Sequence, residues 1–163
     1  MAVDSDQDMA ELLQRGFRYA LSLTHDESRA EDLLQDAWVA VLAAGGTSSK
    51  GYLYAGIRSR FIDRYRRERL VVIESLDAEV GAALQARAPD EAILADVASL
   101  ERALGSLRAE EREALYLSAA EGYSAGEIAA LTGRPRGTVL SLIHRGRQKL
   151  LRLLAAGNVG AQR

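Results

Sequence analysis

Apolar residues in this chain recur at three- and four-residue spacing almost from end to end, and no stretch alternates as a half-buried strand would. That periodicity dictates an all-α fold. The clearest stripe is Ala30, Leu33, Leu34, Ala37, Trp38, Val41 and Leu42. Ser28 with Glu31 offers a capping box at its start, and Gly45-Gly46-Thr47-Ser48-Ser49 closes it as a loop. Leu12, Leu13, Phe17, Ala20 and Leu21 mark a helix before it, with Leu23 a further candidate for its stripe. A third helix is expected from about Tyr52 to Arg69, burying Leu53, Ile57 and Phe61 and leaving Tyr65 open to either role.

Between residues 70 and 89 the pattern blurs into alanines, Gly81 and scattered acids, which predicts a linker between two small helical domains, 1–69 and 90–154. The second domain opens with a stripe of Ile93, Val97, Leu100 and Leu104, followed by a helix over about Glu110 to Ala120. Ser124 and Glu127 form another capping box, the short helix Ala125–Leu131 ends at Thr132-Gly133, and Pro135 starts a long helix to about Leu154. Residues 155–163 are small and polar, and a flexible tail is expected there.

Composition matters chiefly for what it removes. With no cysteine and two distant histidines, His25 and His144, thiolate metal sites, disulfides and His-based catalysis have nothing to work with. No cofactor or metal is expected, and a carboxylate hydrolase would need a second acidic cluster that the pattern lacks. The acidic segment Met1 to Asp8 has no basic-then-apolar secretory pattern. No apolar run approaches the ~18 residues that a membrane span needs. A cytoplasmic protein without membrane insertion is therefore expected.

The formal charge of −2 conceals opposed blocks. Residues 4–36 carry nine acids and three bases, and residues 74–113 carry ten acids and four bases. Residues 58–69 hold six arginines against Asp63 and Glu68, and 134–152 hold five arginines and Lys149 with no acid. Solvated helix faces usually mix signs, so two segregated basic blocks point to nucleic acid.

Each basic block carries chemistry suited to that partner. A short helix, a turn at Gly133 and a basic helix have helix-turn-helix spacing. At 100° per residue, Val139, Ile143, Gly146 and Leu150 share the core side. Thr138, Ser141, His144, Arg145, Gln148 and Arg152 share the opposite one, a set of short hydrogen-bonding groups and arginine suited to base edges and phosphates. Arg134 and Arg136 stand at the helix start. In Arg58-Ser59-Arg60-Phe61-Ile62-Asp63-Arg64-Tyr65-Arg66-Arg67, arginines can neutralise phosphates and an aromatic face can stack on an unpaired base. Arg60, Arg64 and Arg67 cluster in one sector and are the leading candidates for holding a separated strand.

Three segments in order resemble the extracytoplasmic-function sigma factors of bacterial RNA polymerase. Ala30-Glu31-Asp32-Leu33-Leu34-Gln35-Asp36-Ala37-Trp38 is similar to that family's polymerase-binding helix. Gly51-Tyr52-Leu53-Tyr54 through Ile62-Asp63-Arg64-Tyr65-Arg66-Arg67 resembles its promoter-melting segment. Leu107 to Leu150 resembles its domain for reading duplex DNA. The resemblance implies a non-enzymatic initiation factor. Asp32, Gln35, Asp36 and Val39 would dock on the beta-prime clamp helices of the polymerase core, and a further contact with the beta flap is implied. Lys50, Arg58, Arg60, Arg64, Tyr65, Arg66 and Arg67 would meet the minus-ten element. The face Thr138–Arg152, with Arg134 and Arg136, would enter the minus-thirty-five element. An anti-sigma partner is implied on the same ground.

The chain departs from the family where relatives usually carry lysine and arginine on the reading helix, for it has Leu140 and Leu142 at the edges of the core stripe. Basic residues at both would be expected to add phosphate contacts. The loop Ala43–Lys50 lacks the aromatic and acidic residues that many relatives use to hold a flipped base. A stand-alone helix-turn-helix regulator with a partner-sensing N-terminal module is the alternative, and would pair with DNA half-sites as a dimer.

Overall fold

The computed structural model describes residues 2–45, 49–72 and 91–160. Every regular element among them is a helix, so the all-α expectation holds. The chain divides into two compact units, Met1–Leu84 and Gln85–Arg163. Residues 73–90, most of the expected linker, lie outside the described residues, while residues 70–72 belong to the third helix.

The N-terminal unit packs three helices against one another: α1 (Ala2–Thr24), α2 (Glu27–Ala43) and α3 (Lys50–Val72). Asp26, not Ser28, caps α2: its carboxylate accepts the Arg29 N–H at 2.8 Å. The start moves because His25 takes a left-handed φ of 52° and the Thr24 hydroxyl accepts the Asp26 N–H at 3.3 Å, which ends α1 abruptly. Ala30, Leu33, Ala37 and Val41 are buried as the stripe requires, but Trp38 is only half-buried and Leu42 is 60% exposed.

Two tyrosines that the periodicity did not flag complete this core. Tyr19 and Tyr54 are both fully buried, with rings stacked at 4.3 Å between centroids. The Tyr54 hydroxyl donates to the Arg15 carbonyl at 3.4 Å. Beside them α1 approaches its neighbours through Gly16, where a Cβ would lie 2.8 Å from Leu34 Cδ1 and 2.9 Å from Leu53 Cδ2.

The C-terminal unit comprises α4 (Glu91–Gly105), α5 (Ala109–Ala119), α6 (Ala125–Thr132) and α7 (Arg136–Gly160), with α7 packed on each of the other three. Its core is Ala103, Leu107, Ala114, Leu117, Ile128, Val139 and Leu142. Of the expected α4 stripe, Val97 and Leu100 are exposed and Leu104 is half-buried, while Ala103 is buried, as is Leu107 just beyond the helix; the Ile93 side chain lies outside the described residues. Helix α7 also continues through Gly160, past Leu154, so most of the expected tail is helical.

The buried charges among the described residues of this unit have partners. Arg112 donates to the Leu104 and Leu107 carbonyls at 3.2 and 3.0 Å, tying α5 to the end of α4 and the turn after it, where the Leu104 carbonyl also accepts the Leu107 N–H. Burial pulls its guanidinium below the ordinary arginine range. Glu111 reaches Lys149 of α7 at 3.9 Å. Where α5 crosses α7, a Cβ on Gly146 would stand 3.0 and 3.2 Å from Leu115 Cδ1 and Cγ, so the two helices meet at a point that a methyl group would crowd.

Candidate functional site

Two surfaces gather the residues singled out in the sequence. On α2, Asp32, Gln35 and Asp36 are exposed along the side away from the core, and Val39 is 65% exposed. This face therefore presents two carboxylates, an amide and one open apolar side chain to solvent.

Helix α3 sorts its arginines into two groups. Arg64 forms an ion pair with Asp36 of α2, and the half-buried Arg60 donates to the Gly56 carbonyl at 3.3 Å. Arg58 is half-buried as well. Arg66, Arg67 and Arg69 are exposed near the helix end, where Arg29 also approaches Glu68 at 3.8 Å. The structure therefore draws Arg60 and Arg64 toward protein and leaves Arg67 outward, rather than presenting the three as one solvent-facing sector.

Tyr65 is 49% exposed, which decides its ambiguous sequence pattern in favour of the surface. Its ring stacks with Phe61 at 6.2 Å, and the Arg69 guanidinium lies 5.4 Å from its centroid. Arg69 was not among the expected contact residues, although its spacing of four from Tyr65 was a signal for this pairing. Lys50 is half-buried at the start of α3 with Nζ 5.9 Å from the Tyr54 ring centroid. Gly46, Thr47 and Ser48 of the adjoining loop lie outside the described residues.

The helix-turn-helix is built as its local chemistry directs. The Ser124 hydroxyl accepts the Glu127 N–H at 3.2 Å and the Glu127 carboxylate accepts the Ser124 N–H at 2.8 Å, a reciprocal cap on α6. Gly133 takes a left-handed φ of 67° at the end of α6, a conformation that costs glycine little. Pro135 precedes α7, and its carbonyl accepts the Val139 N–H at 3.1 Å.

Beyond the turn, Thr138, Ser141, His144, Arg145, Gln148 and Arg152 are all exposed while Val139 and Leu142 are buried. The Ser141 hydroxyl donates to the Gly137 carbonyl at 3.0 Å, and Arg145 Nε donates to the Ser141 carbonyl at 3.3 Å. Arg136 is exposed at the helix start. Arg134 is instead half-buried, 3.4 Å from Glu113 and 3.6 Å from Glu110, so it braces the turn against α5.

The two leucines part company. Leu142 is 6% exposed and belongs to the core, so a basic residue there would add no phosphate contact; Leu140 is 46% exposed. Among the described residues, no cluster of three or more His, Asp or Glu side chains is arranged to hold a metal, and no helix is long and apolar enough to cross a membrane.

Both units match known sigma-70 families over most of their described length. Residues 7–71 match the family described as sigma-70 region 2, and residues 98–150 match sigma-70 region 4. The chain is 32% identical over 120 residues to the ECF RNA polymerase sigma factor EcfG of Rhodopseudomonas palustris, a match covering 71% of this chain and 65% of that protein. It is 33% identical over 129 residues to the ECF RNA polymerase sigma factor SigL of Mycobacterium tuberculosis, covering 72% of this chain and 70% of that one. Among solved structures, the sigma factor RpoE of Bartonella quintana, crystallised with the anti-sigma factor NepR, is similar at a TM-score of 0.76 and 30% identity. That match covers 93% of this chain and 97% of the other.

Proposed function

This chain belongs to the ECF sigma factors of the sigma-70 family, and on that footing we propose that it carries RNA polymerase core to specific promoters and helps open them. The observation that most supports this is the exposed reading face of α7, Thr138 through Arg152, presented by a helix whose other side is locked into a core. In this reading the chain makes and breaks no bond itself. It works in the cytoplasm with the polymerase, and nucleotide chemistry belongs to the core enzyme.

The parts divide the work. Asp32, Gln35, Asp36 and Val39 dock on the clamp helices of the beta-prime subunit, and the C-terminal unit meets the beta flap. Tyr65 stacks on an unpaired base of the minus-ten element while Arg66 and Arg67 neutralise the backbone of the separated strand. Arg58, Arg60 and Lys50 flank that contact, and Arg64 joins it when its ion pair with Asp36 opens. The α7 face enters the major groove of the minus-thirty-five element, with Arg136 at its entrance and Arg134 holding the turn. Reading two elements from one chain gives specificity through their spacing. An anti-sigma factor as restraint fits this reading, since a similar sigma factor was crystallised with one.

Reconstitution with core polymerase and random promoter fragments tests the whole reading: promoter-dependent transcripts are expected. Tight binding of duplex DNA by a dimer of this chain, with no transcripts, would favour a stand-alone regulator. Within the complex, Arg145→Ala is expected to weaken upstream-element binding by ~1–3 kcal/mol, the range for one base-edge contact. Arg66→Ala with Arg67→Ala is expected to leave core binding intact and lower open-complex formation, measured by permanganate reactivity of unpaired thymines. A template already mismatched across the melted region should restore much of the loss, because the unpairing cost of a few kcal/mol per base is then removed. Normal melting by that double variant would take Arg66 and Arg67 out of the strand contact.

A further inference from the structure

We infer that Leu140 reads the C5-methyl group of a thymine in the upstream promoter element. The inference rests on the reading of α7 as the DNA-entering helix. Leu140 sits in the second turn of α7, the part of a recognition helix that reaches base edges. It is 46% exposed, although its near neighbours Val139 and Leu142 are buried at 1% and 6%, so its position is not a spill-over from the core. Ser141 and His144 are exposed beside it, with His144 one turn further along the same side.

The surroundings decide what kind of occupant fits. An apolar protein surface would have to cover Arg136 and Arg147, one and two turns away on the same side, together with Leu140, and so bury exposed guanidinium groups against apolar atoms. The DNA major groove offers the opposite arrangement, phosphates on either side for the arginines and one apolar group on its floor. That group is the thymine methyl, and apolar side chains are its usual readers. Leu140 thus supplies base preference at a position where a basic side chain would supply only charge.

The test uses holoenzyme reconstituted from the full chain and core polymerase. A preferred upstream sequence is selected from duplexes randomised in that region, then rebuilt with each thymine in turn replaced by deoxyuridine, which removes only the methyl. One replacement is expected to weaken binding about fourfold, the effect of exposing a single buried methyl group. In Leu140→Ser holoenzyme the same replacement should have no effect, and selection should no longer favour thymine there.

The inference is overturned if a sequence is selected but no deoxyuridine replacement matters, or if the effect persists unchanged in Leu140→Ser. Either result leaves the reading of α7 standing, provided Arg145→Ala still weakens binding to that sequence. Failure to enrich any upstream sequence, with Arg145→Ala neutral, would sink the reading of α7 and this inference with it.

Discussion

Leu142→Arg is expected to unfold the C-terminal unit. Leu142 is 6% exposed and lies in the same core as Val139, Ile128 and Leu117. The substitution removes a packed side chain and puts a guanidinium in its place. Burying an uncompensated charge costs several kcal/mol even after relaxation. A unit of this size has only about 5 kcal/mol to lose, on the usual scale of stability per residue. Loss of helical circular dichroism and rapid amide exchange across α5–α7 are therefore expected, with exchange in α1–α3 unchanged. Leu140→Lys serves as the contrast, because its position is open and its cost should stay within about 0.5 kcal/mol. A cooperative, native-like melt of Leu142→Arg would mean that position 142 faces solvent.

Asp36→Arg is expected to abolish most core-polymerase binding, by at least about thirtyfold, as reversing a charge at the centre of a docking face would do. Its effect on folding should be small, since the ion pair with Arg64 is open to solvent on the Asp36 side and such partly exposed pairs contribute ~0–1 kcal/mol. The pairing nonetheless complicates a single substitution, for the introduced guanidinium would face that of Arg64. Two further variants separate the causes. Arg64→Asp breaks the same pair while keeping Asp36, and should retain core binding. The exchange of both residues restores an ion pair of reversed polarity and should still fail to bind. Recovery of binding in the exchanged protein would show that Asp36 matters through Arg64 alone and would remove it from the docking surface.

These two residues also illustrate what could and could not be read in advance. The separation of Asp36 and Arg64 along the chain, 28 residues, hides their contact from any pattern confined to one helix. On a wheel of α3 Arg64 looks like a surface arginine, and only packing against α2 turns it inward. The helix-turn-helix was legible because Ser124, Glu127, Gly133 and Pro135 act on their own immediate backbone. The cap of α2 was misplaced because Asp26 and Ser28 are both good caps, and the turn at His25 decided between them. Tyr19 and Tyr54 escaped notice for a related reason. Tyrosine is at home in core or surface, and their mutual stacking across α1 and α3 settles the matter only in three dimensions. The stripe of α4 went wrong through its small residues: Ala103 is buried, and larger Val97 and Leu100 are not.

Gly146 bears on how a chain of this kind could change its target. The close approach of α7 to Leu115 at that glycine fixes the azimuth of the helix from behind. Side chains at 138, 140, 141, 144 and 145 can then be exchanged one at a time without disturbing the backbone that presents them. If these side chains read the upstream element as proposed, a new promoter preference is open to single mutational steps, each altering one base position. A methyl group at 146 would act on all of them together, by tilting the whole reading face.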